Sequence, residues 1–319
     1  MSRGARNTPV TDSATRNPER RAPVMLETAG WDDYALVDTG NGRKLERYGS
    51  YRIVRPEAQA LWSPRLPDTE WEAADATFVG IGDEDTDGRW RYRDKIGPTW
   101  PMSYDGVSFL GRFTNFRHVG LFPEQATHWD WMVERIAGRD RPTRILNLFG
   151  YTGIASLLTA RAGAHVTHID ASKRAIAWAR EGQAASGLDD LPIRWICEDA
   201  QKFVARELRR GNRYDGIILD PPKFGRGPKN EVWDVFTDLS PLVADCRALL
   251  SDDPLFMVLT AYSIRSSFYA LHEVCTEQLG GMGGLLESGE LVLLEQDMPD
   301  SPRRRHLSTS LFSRWSSNG

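Results

Sequence analysis

The chain has 319 residues, a formal net charge of −4 at pH 7 and 40% hydrophobic residues, ordinary values for a soluble globular protein that is long enough for two domains. The mild acidity excludes wholesale electrostatic attraction to nucleic acid, so any such binding must rest on a local patch. Cys197, Cys246 and Cys275 form neither a disulfide framework nor a zinc spacing, no apolar run reaches membrane-spanning length, and the polar N-terminus lacks a signal-peptide core. A cytoplasmic protein without a metal or a membrane partner is expected.

Residues 1–22 are rich in Arg, Thr, Ser, Asn and Pro with almost no apolar content, the composition of a disordered tail. Arg3, Arg6, Arg16, Arg20 and Arg21 offer RNA phosphates a contact, but a solvated tail is the simpler reading. Residues 23–116 alternate short apolar runs with turn signals at 38–42, 48–49, 82–83, 87–88 and 105–106, which predicts a small β-rich domain. Trp31, Trp62, Trp71, Trp90 and Trp100 collect here, interleaved with Arg52, Arg55, Arg65, Arg89, Arg91 and Arg93. Arginine with aromatics suits single-stranded RNA; the competing reading makes the tryptophans core and the arginines a solvated face.

Residues 117–319 have the texture of an α/β unit. After Phe122-Pro123-Glu124-Gln125, a helix is predicted over Thr127 to Ile136. Ile145, Leu146 and Leu148 read as a strand buried on both faces, with Gly150 and Gly153 punctuating the turn into a helix over 154–162. Gly150 is expected to adopt angles closed to other residues, and Gly153 to admit a ligand to the main chain. His165 to Asp170 is a second strand, its terminal acid at the spacing where nucleotide folds hold a ribose. Ile193–Cys197 is a third, followed by Asp199 and Ala200. Tyr214 to Asp220 is a fourth, ending Asp220-Pro221-Pro222-Lys223-Phe224. Helices are expected over about 172–186, 200–210 and 232–250, with Pro241 near the start of the last or kinking it. Strand five covers 255–260, a helix runs from about 266 to 279, and two long strands over 285–296 and 307–315 close the chain.

The run Leu146 to Gly153 and the run Asp220 to Phe224 resemble those of class I S-adenosylmethionine-dependent methyltransferases, and more closely the bacterial group that modifies large-subunit ribosomal RNA. The resemblance covers roughly 117–315. It implies a Rossmann-like seven-stranded sheet with a C-terminal antiparallel strand pair, beside the small β-rich N-terminal domain, whose expected task is substrate recognition. It also implies S-adenosyl-L-methionine as cofactor and RNA, ribosomal RNA above all, as partner. Phe122 and Gln125 match positions that lie against the cofactor in relatives, although Pro123-Glu124 departs from the usual form.

Asn147, Phe149, Gly150, Tyr151, Thr152 and Gly153 are expected around the methionine end of the cofactor, Asp170 on the ribose, and Ala171 and Ser172 beside the adenosine. Asp199 accepts from the adenine amine or caps the following helix, and Ala200 offers its N–H. Asp220, Pro221 and Pro222 form a stiff ledge for the methyl acceptor, with Asp220 orienting it or taking a proton. Phe224 stacks on a base turned out of its helix, and Lys223, Arg226 and Lys229 make the adjoining loop basic. Relatives that methylate cytosine carbon-5 place a cysteine just after strand five; here Ser263 stands at that position, which favours a nitrogen acceptor. Tyr262 is expected to line the acceptor pocket. Other readings are a methyltransferase for a small molecule or a protein, a cofactor-binding RNA module without catalysis, and a nicotinamide-dependent oxidoreductase. The last leaves the Asp-Pro-Pro run and the terminal hairpin unexplained.

Overall fold

Residues 23–80, 88–262, 264, 266–298 and 303–317 are described by a computed structural model. Expectations for the tail at 1–22, the turns at 82–83 and 87, and Ser263 lie outside them. The chain opens with β1 (Val24–Thr28), then β2 (Tyr34–Gly40), β3 (Arg43–Tyr48), β4 (Tyr51–Pro56), α1 (Asp68–Glu72), β5 (Ala76–Gly80), β6 (Gly88–Tyr92) and the hairpin β7 (Trp100–Tyr104) and β8 (Val107–Gly111). A single 3₁₀ turn, Pro123–Gln125, leads into α2 (Ala126–Ala137). Alternation follows: β9 (Arg144–Leu148), α3 (Ile154–Arg161), β10 (His165–Asp170), α4 (Lys173–Ala185), β11 (Ile193–Cys197), α5 (Ala200–Arg209) and β12 (Gly216–Leu219). A short hairpin of β13 (Phe224–Arg226) and β14 (Val232–Asp234) precedes α6 (Val235–Leu249), β15 (Phe256–Tyr262), α7 (Phe268–Leu279), β16 (Leu285–Leu294) and β17 (His306–Ser316).

The large sheet has the order β1-β16-β17-β15-β12-β9-β10-β11. The seven expected strands are there, and β17 runs antiparallel between β15 and β16. An eighth, β1, pairs in parallel with β16, so Val24–Thr28 belongs to the large sheet although sequence grouped it with the small domain. Ile145, Leu146 and Leu148 on β9 are fully buried, as a central strand covered on both faces requires. Pro241 lies inside α6, in its second turn.

The second sheet has the order β2-β3-β4-β5-β6. Its tryptophans are structural. Trp71 and Trp100 are buried, Trp31 donates to the Ser103 carbonyl, Trp62 to Thr39, and Trp90 to the Thr114 and Phe116 carbonyls. Several arginines are spoken for as well: Arg55 is buried against Glu46 at 2.7 Å, Arg52 pairs with Glu70, Arg65 with Glu295 and Arg93 with Asp75. The core reading therefore accounts for most of this cluster, while Arg89 and Arg91 stay exposed. One hydrophobic core runs from Tyr34, Ile53 and Trp100 through Trp129 of α2 to Ile145 and Leu157, joining the small sheet to one face of the large one; a second core fills the opposite face beneath α5, α6 and α7.

Candidate active site

β9 and β12 are neighbours, with Leu148 opposite Leu219, so the two motif-bearing strand ends emerge side by side. Between them lies a cleft open to solvent, walled by the ends of both strands and floored by α2. Phe122, Gln125, Asn147, Phe149, Gly150, Tyr151, Thr152 and Asp220 all line it. Gly153, Asp170, Ala171, Ser172, Asp199, Ala200, Pro221, Pro222 and Phe224 are not part of that wall.

The turn after β9 is held in an uncommon shape. Phe149 and Tyr151 have φ of 57° and 50°, and Gly153 has φ of 79°. This corrects the sequence expectation. Gly150 is not among the positive-φ residues; it is glycine because a Cβ there would stand 2.3 Å from His168 Cε1. Gly153 takes the left-handed conformation, and its missing Cβ makes room for Trp195 and Ala179 rather than for a ligand. Beneath the turn, Asn147 donates to Ser156 at 2.9 Å and Ser156 meets His168 Nδ1 at 3.0 Å. Thr152 ties the turn to the Gly120 carbonyl at 2.8 Å.

Asp170 ends β10 and accepts from Tyr151 N at 2.9 Å through Oδ2 and from Ser172 N at 2.8 Å through Oδ1. Burial pushes its carboxyl up despite those two N–H groups, so a further hydrogen-bond donor would be welcome. It is not the helix cap, because Ser172 caps α4 by accepting from Ala175 N. Asp199 does cap: its Oδ1 accepts from Lys202 N at 3.0 Å at the start of α5. The capping alternative therefore holds for Asp199, leaving its second oxygen for a ligand.

At the other wall Asp220 Oδ2 accepts from Gln125 Nε2 at 3.2 Å, and the same nitrogen donates to Tyr262 Oη at 3.0 Å. Gln125, which the resemblance set against the cofactor, bridges two residues of the chain. Asp220 Oδ1 is shielded from solvent and has no partner among the described residues. Burial first, and the Glu124 charge second, push this carboxyl well above its ordinary value. Phe122 packs its ring 5.0 Å from Tyr262 and 5.8 Å from Tyr151, closing the space between the two walls. Of the two proline carbonyls, that of Pro222 accepts from Trp233 Nε1 at 2.7 Å.

Sequence reasoning missed three contributors. His128 lines the cleft floor, is fully buried, and among the described residues has no partner for either ring nitrogen. Its spacing of three from Gln125 at a helix start was the available signal. Neither His168 under Gly150 nor Trp233 on Pro222 and Phe149 has a local sequence signature.

A strand-end cleft of this kind, in a parallel sheet closed by an antiparallel terminal hairpin, marks an α/β fold of the class that binds nucleotides and nucleoside cofactors at its strand ends. A family model for S-adenosylmethionine-dependent methyltransferases matches residues 83–247, and the chain belongs to that family. It is similar to the crystal structure of a SAM-dependent methyltransferase from Agrobacterium tumefaciens, with 56% identity and a TM-score of 0.89 over 93% of this chain and 94% of that one. It is also 24% identical to ribosomal RNA large subunit methyltransferase K of Neisseria meningitidis serogroup B, over 75% of this chain and 67% of that protein. Ribosomal RNA large subunit methyltransferase K/L of Shewanella baltica is 34% identical over 46% of this chain, a match that spans only 20% of the relative.

The chain is a methyltransferase and S-adenosylmethionine is its cofactor. The residues fit that molecule: an underbonded carboxylate one hydrogen bond from the turn, an aromatic lid at Phe122, and a cleft floor carrying unpaired polar atoms. When bound, the cofactor supplies a methyl on a sulfonium, so the difficult chemistry is already in place. What the chain adds is alignment of donor and acceptor, held by strand ends that share a hydrogen-bonded register.

Proposed function

We propose that the protein methylates a base of ribosomal RNA, at a nitrogen rather than at carbon-5 of cytosine. In this reading Asp170 holds the ribose hydroxyls, the 147–153 turn surrounds the methionine end, and Asp220 with the Pro221 carbonyl receives the acceptor amine. The observation that carries it is Asp220 Oδ1, an unpaired oxygen in the cleft wall on a carboxyl whose pKa is raised by burial and by Glu124. In its ionised form such a group accepts an N–H strongly and takes its proton as the methyl arrives.

Carbon-5 chemistry calls for a thiolate, and none of the three cysteines lines the cleft. Cys275 is buried with its thiol pushed up to about 12, and Cys246 is buried with its thiol raised further. The names of the two relatives support ribosomal RNA as the acceptor. Nucleoside mass spectrometry of ribosomal RNA from cells with and without the gene tests the whole reading. An N-methyl nucleoside that disappears with the gene is expected; loss of 5-methylcytidine, or no change in any nucleoside, would overturn it.

A further inference from the structure

With the tryptophans of the small sheet consumed by packing, aromatic surface for RNA must be sought elsewhere. Phe224, Val232 and Phe236 are 57%, 54% and 63% exposed, and among the described residues no other stretch of that length exposes more than one large apolar side chain. They lie on the β13–β14 hairpin and the first turn of α6, immediately after the Asp220-Pro221-Pro222 ledge. Phe224 pairs with Asp234 and Arg226 with Val232, so strand alternation puts Phe224, Arg226 and Val232 on one face and Trp233 on the other.

That other face is fastened down. Trp233 is buried, bonded to the Pro222 carbonyl, and 5.0 Å from the Phe149 ring. Glu231 closes the turn by accepting from Lys229 N and by pairing with Lys202 at the start of α5. The hairpin is therefore a fixed ledge. Its outward apolar groups are no accident of a loose loop, because burying them against the body would have stabilised the fold. Lys223, Arg226 and Lys229 are exposed around them, and among the described residues none of the three makes an ion pair. Aromatic faces among unpaired cations are what a single strand of bases and phosphates requires.

We propose that this hairpin and the start of α6 form a stacking platform for the nucleotides flanking the target base in a single-stranded stretch of RNA. The proposal rests on the RNA reading above and assigns the surface that reads around the target. A protein partner would also cover apolar groups, but the flanking cations favour the nucleic acid.

The test uses the full chain and the variants Phe236→Ser, Val232→Ser and Arg226→Gln, all at exposed side chains, each first shown to bind S-adenosylhomocysteine as the unaltered protein does. Affinity for short oligo-uridine and oligo-adenosine strands is measured by fluorescence anisotropy across salt concentrations, and KM and kcat on ribosomal RNA from gene-deleted cells. Phe236→Ser should weaken the strands about tenfold, the order of one lost base stack, and raise KM more than it lowers kcat. Arg226→Gln should reduce the log–log salt slope by about 0.7, the value of one released counterion on a single strand. If the unaltered protein methylates the RNA while all three variants keep its affinities and KM, the platform is wrong and the RNA reading stands. If the unaltered protein neither binds strands nor methylates the RNA, both fall, and the apolar ledge is left for a protein contact.

Discussion

Asp170 and Asp220 are both strand-terminal acids whose carboxyls are raised by burial, yet their surroundings assign them different tasks. Asp170 already satisfies two main-chain N–H groups, that of Tyr151 in the turn after β9 and that of Ser172 at the start of α4, whereas among the described residues Asp220 keeps an oxygen with no partner. On the proposed reading Asp170→Ala should abolish S-adenosylhomocysteine binding in a calorimetric titration, since it would remove the proposed ribose acceptor together with the acceptor for Tyr151 N in the turn. Asp220→Asn should leave that affinity within a few-fold and lower kcat about 10²-fold or more, the usual contribution of a positioned base. In the unaltered enzyme kcat should rise with pH through an apparent pKa above the ordinary carboxylate range, because the carboxylate is the competent form. The asparagine variant should lose that limb. Tight cofactor binding by Asp170→Ala would show that the ribose has been misplaced.

Among the elements, the β9 turn is the one whose sequence and packing are most closely matched. Its main chain is bent at Phe149, Tyr151 and Gly153, and the bend is maintained by contacts from below: His168 under Gly150, Trp195 under Gly153, Asp170 on Tyr151 N. Gly150→Ala would drive a Cβ into His168 Cε1 and Nδ1, at 2.3 and 2.5 Å. Overpacking of that kind costs about 1–3 kcal/mol. Urea denaturation should show this loss, and because the turn is where the strain is relieved, S-adenosylhomocysteine affinity should fall with it. Gly163, by contrast, has open space where a Cβ would stand but a φ of 105°, so there the conformation, and at Gly150 the packing, calls for glycine.

At the scale of the whole molecule, acid stability reports on buried histidines. His128 and His168 are fully buried, and burial lowers each from 6.5 to about 3, His168 being drawn back slightly by the Tyr151 main chain. The fold holds the neutral ring while the unfolded chain takes up a proton. The stability they contribute is therefore complete above about pH 6.5 and is lost as pH falls from there towards 3. By linkage, each accounts for roughly 2 kcal/mol between pH 7 and 5. Raised carboxyls such as Asp170 and Asp220 act in the opposite sense, gaining stability as pH falls, so the useful quantity is a difference between variants. The loss from pH 7 to 5 in urea denaturation should be smaller by about 2 kcal/mol in His168→Asn; an unchanged difference would mean that the ring is already protonated or exposed.

The sequence by itself determined the order of the large sheet's strands and helices from β9 onward, the glycine turn and the Asp-Pro-Pro run, because periodicity, breakers and short motifs are local properties that survive in one dimension. Leu146 to Gly153 and Asp220 to Phe224 could be read as two halves of one site for that reason. The sequence did not show the β13–β14 hairpin, whose second strand, Val232–Asp234, it read as helix. Only the tertiary structure decided which physical constraint made Gly150 a glycine, that Asp199 caps a helix, that Gln125 is held between Asp220 and Tyr262, and that β1 joins the large sheet. It likewise decided that the tryptophans between 31 and 100 serve packing while Phe224 and Phe236 face solvent. Each of these depends on which atoms from distant parts of the chain compete for the same space or the same hydrogen bond, and that competition is settled only once the chain has folded.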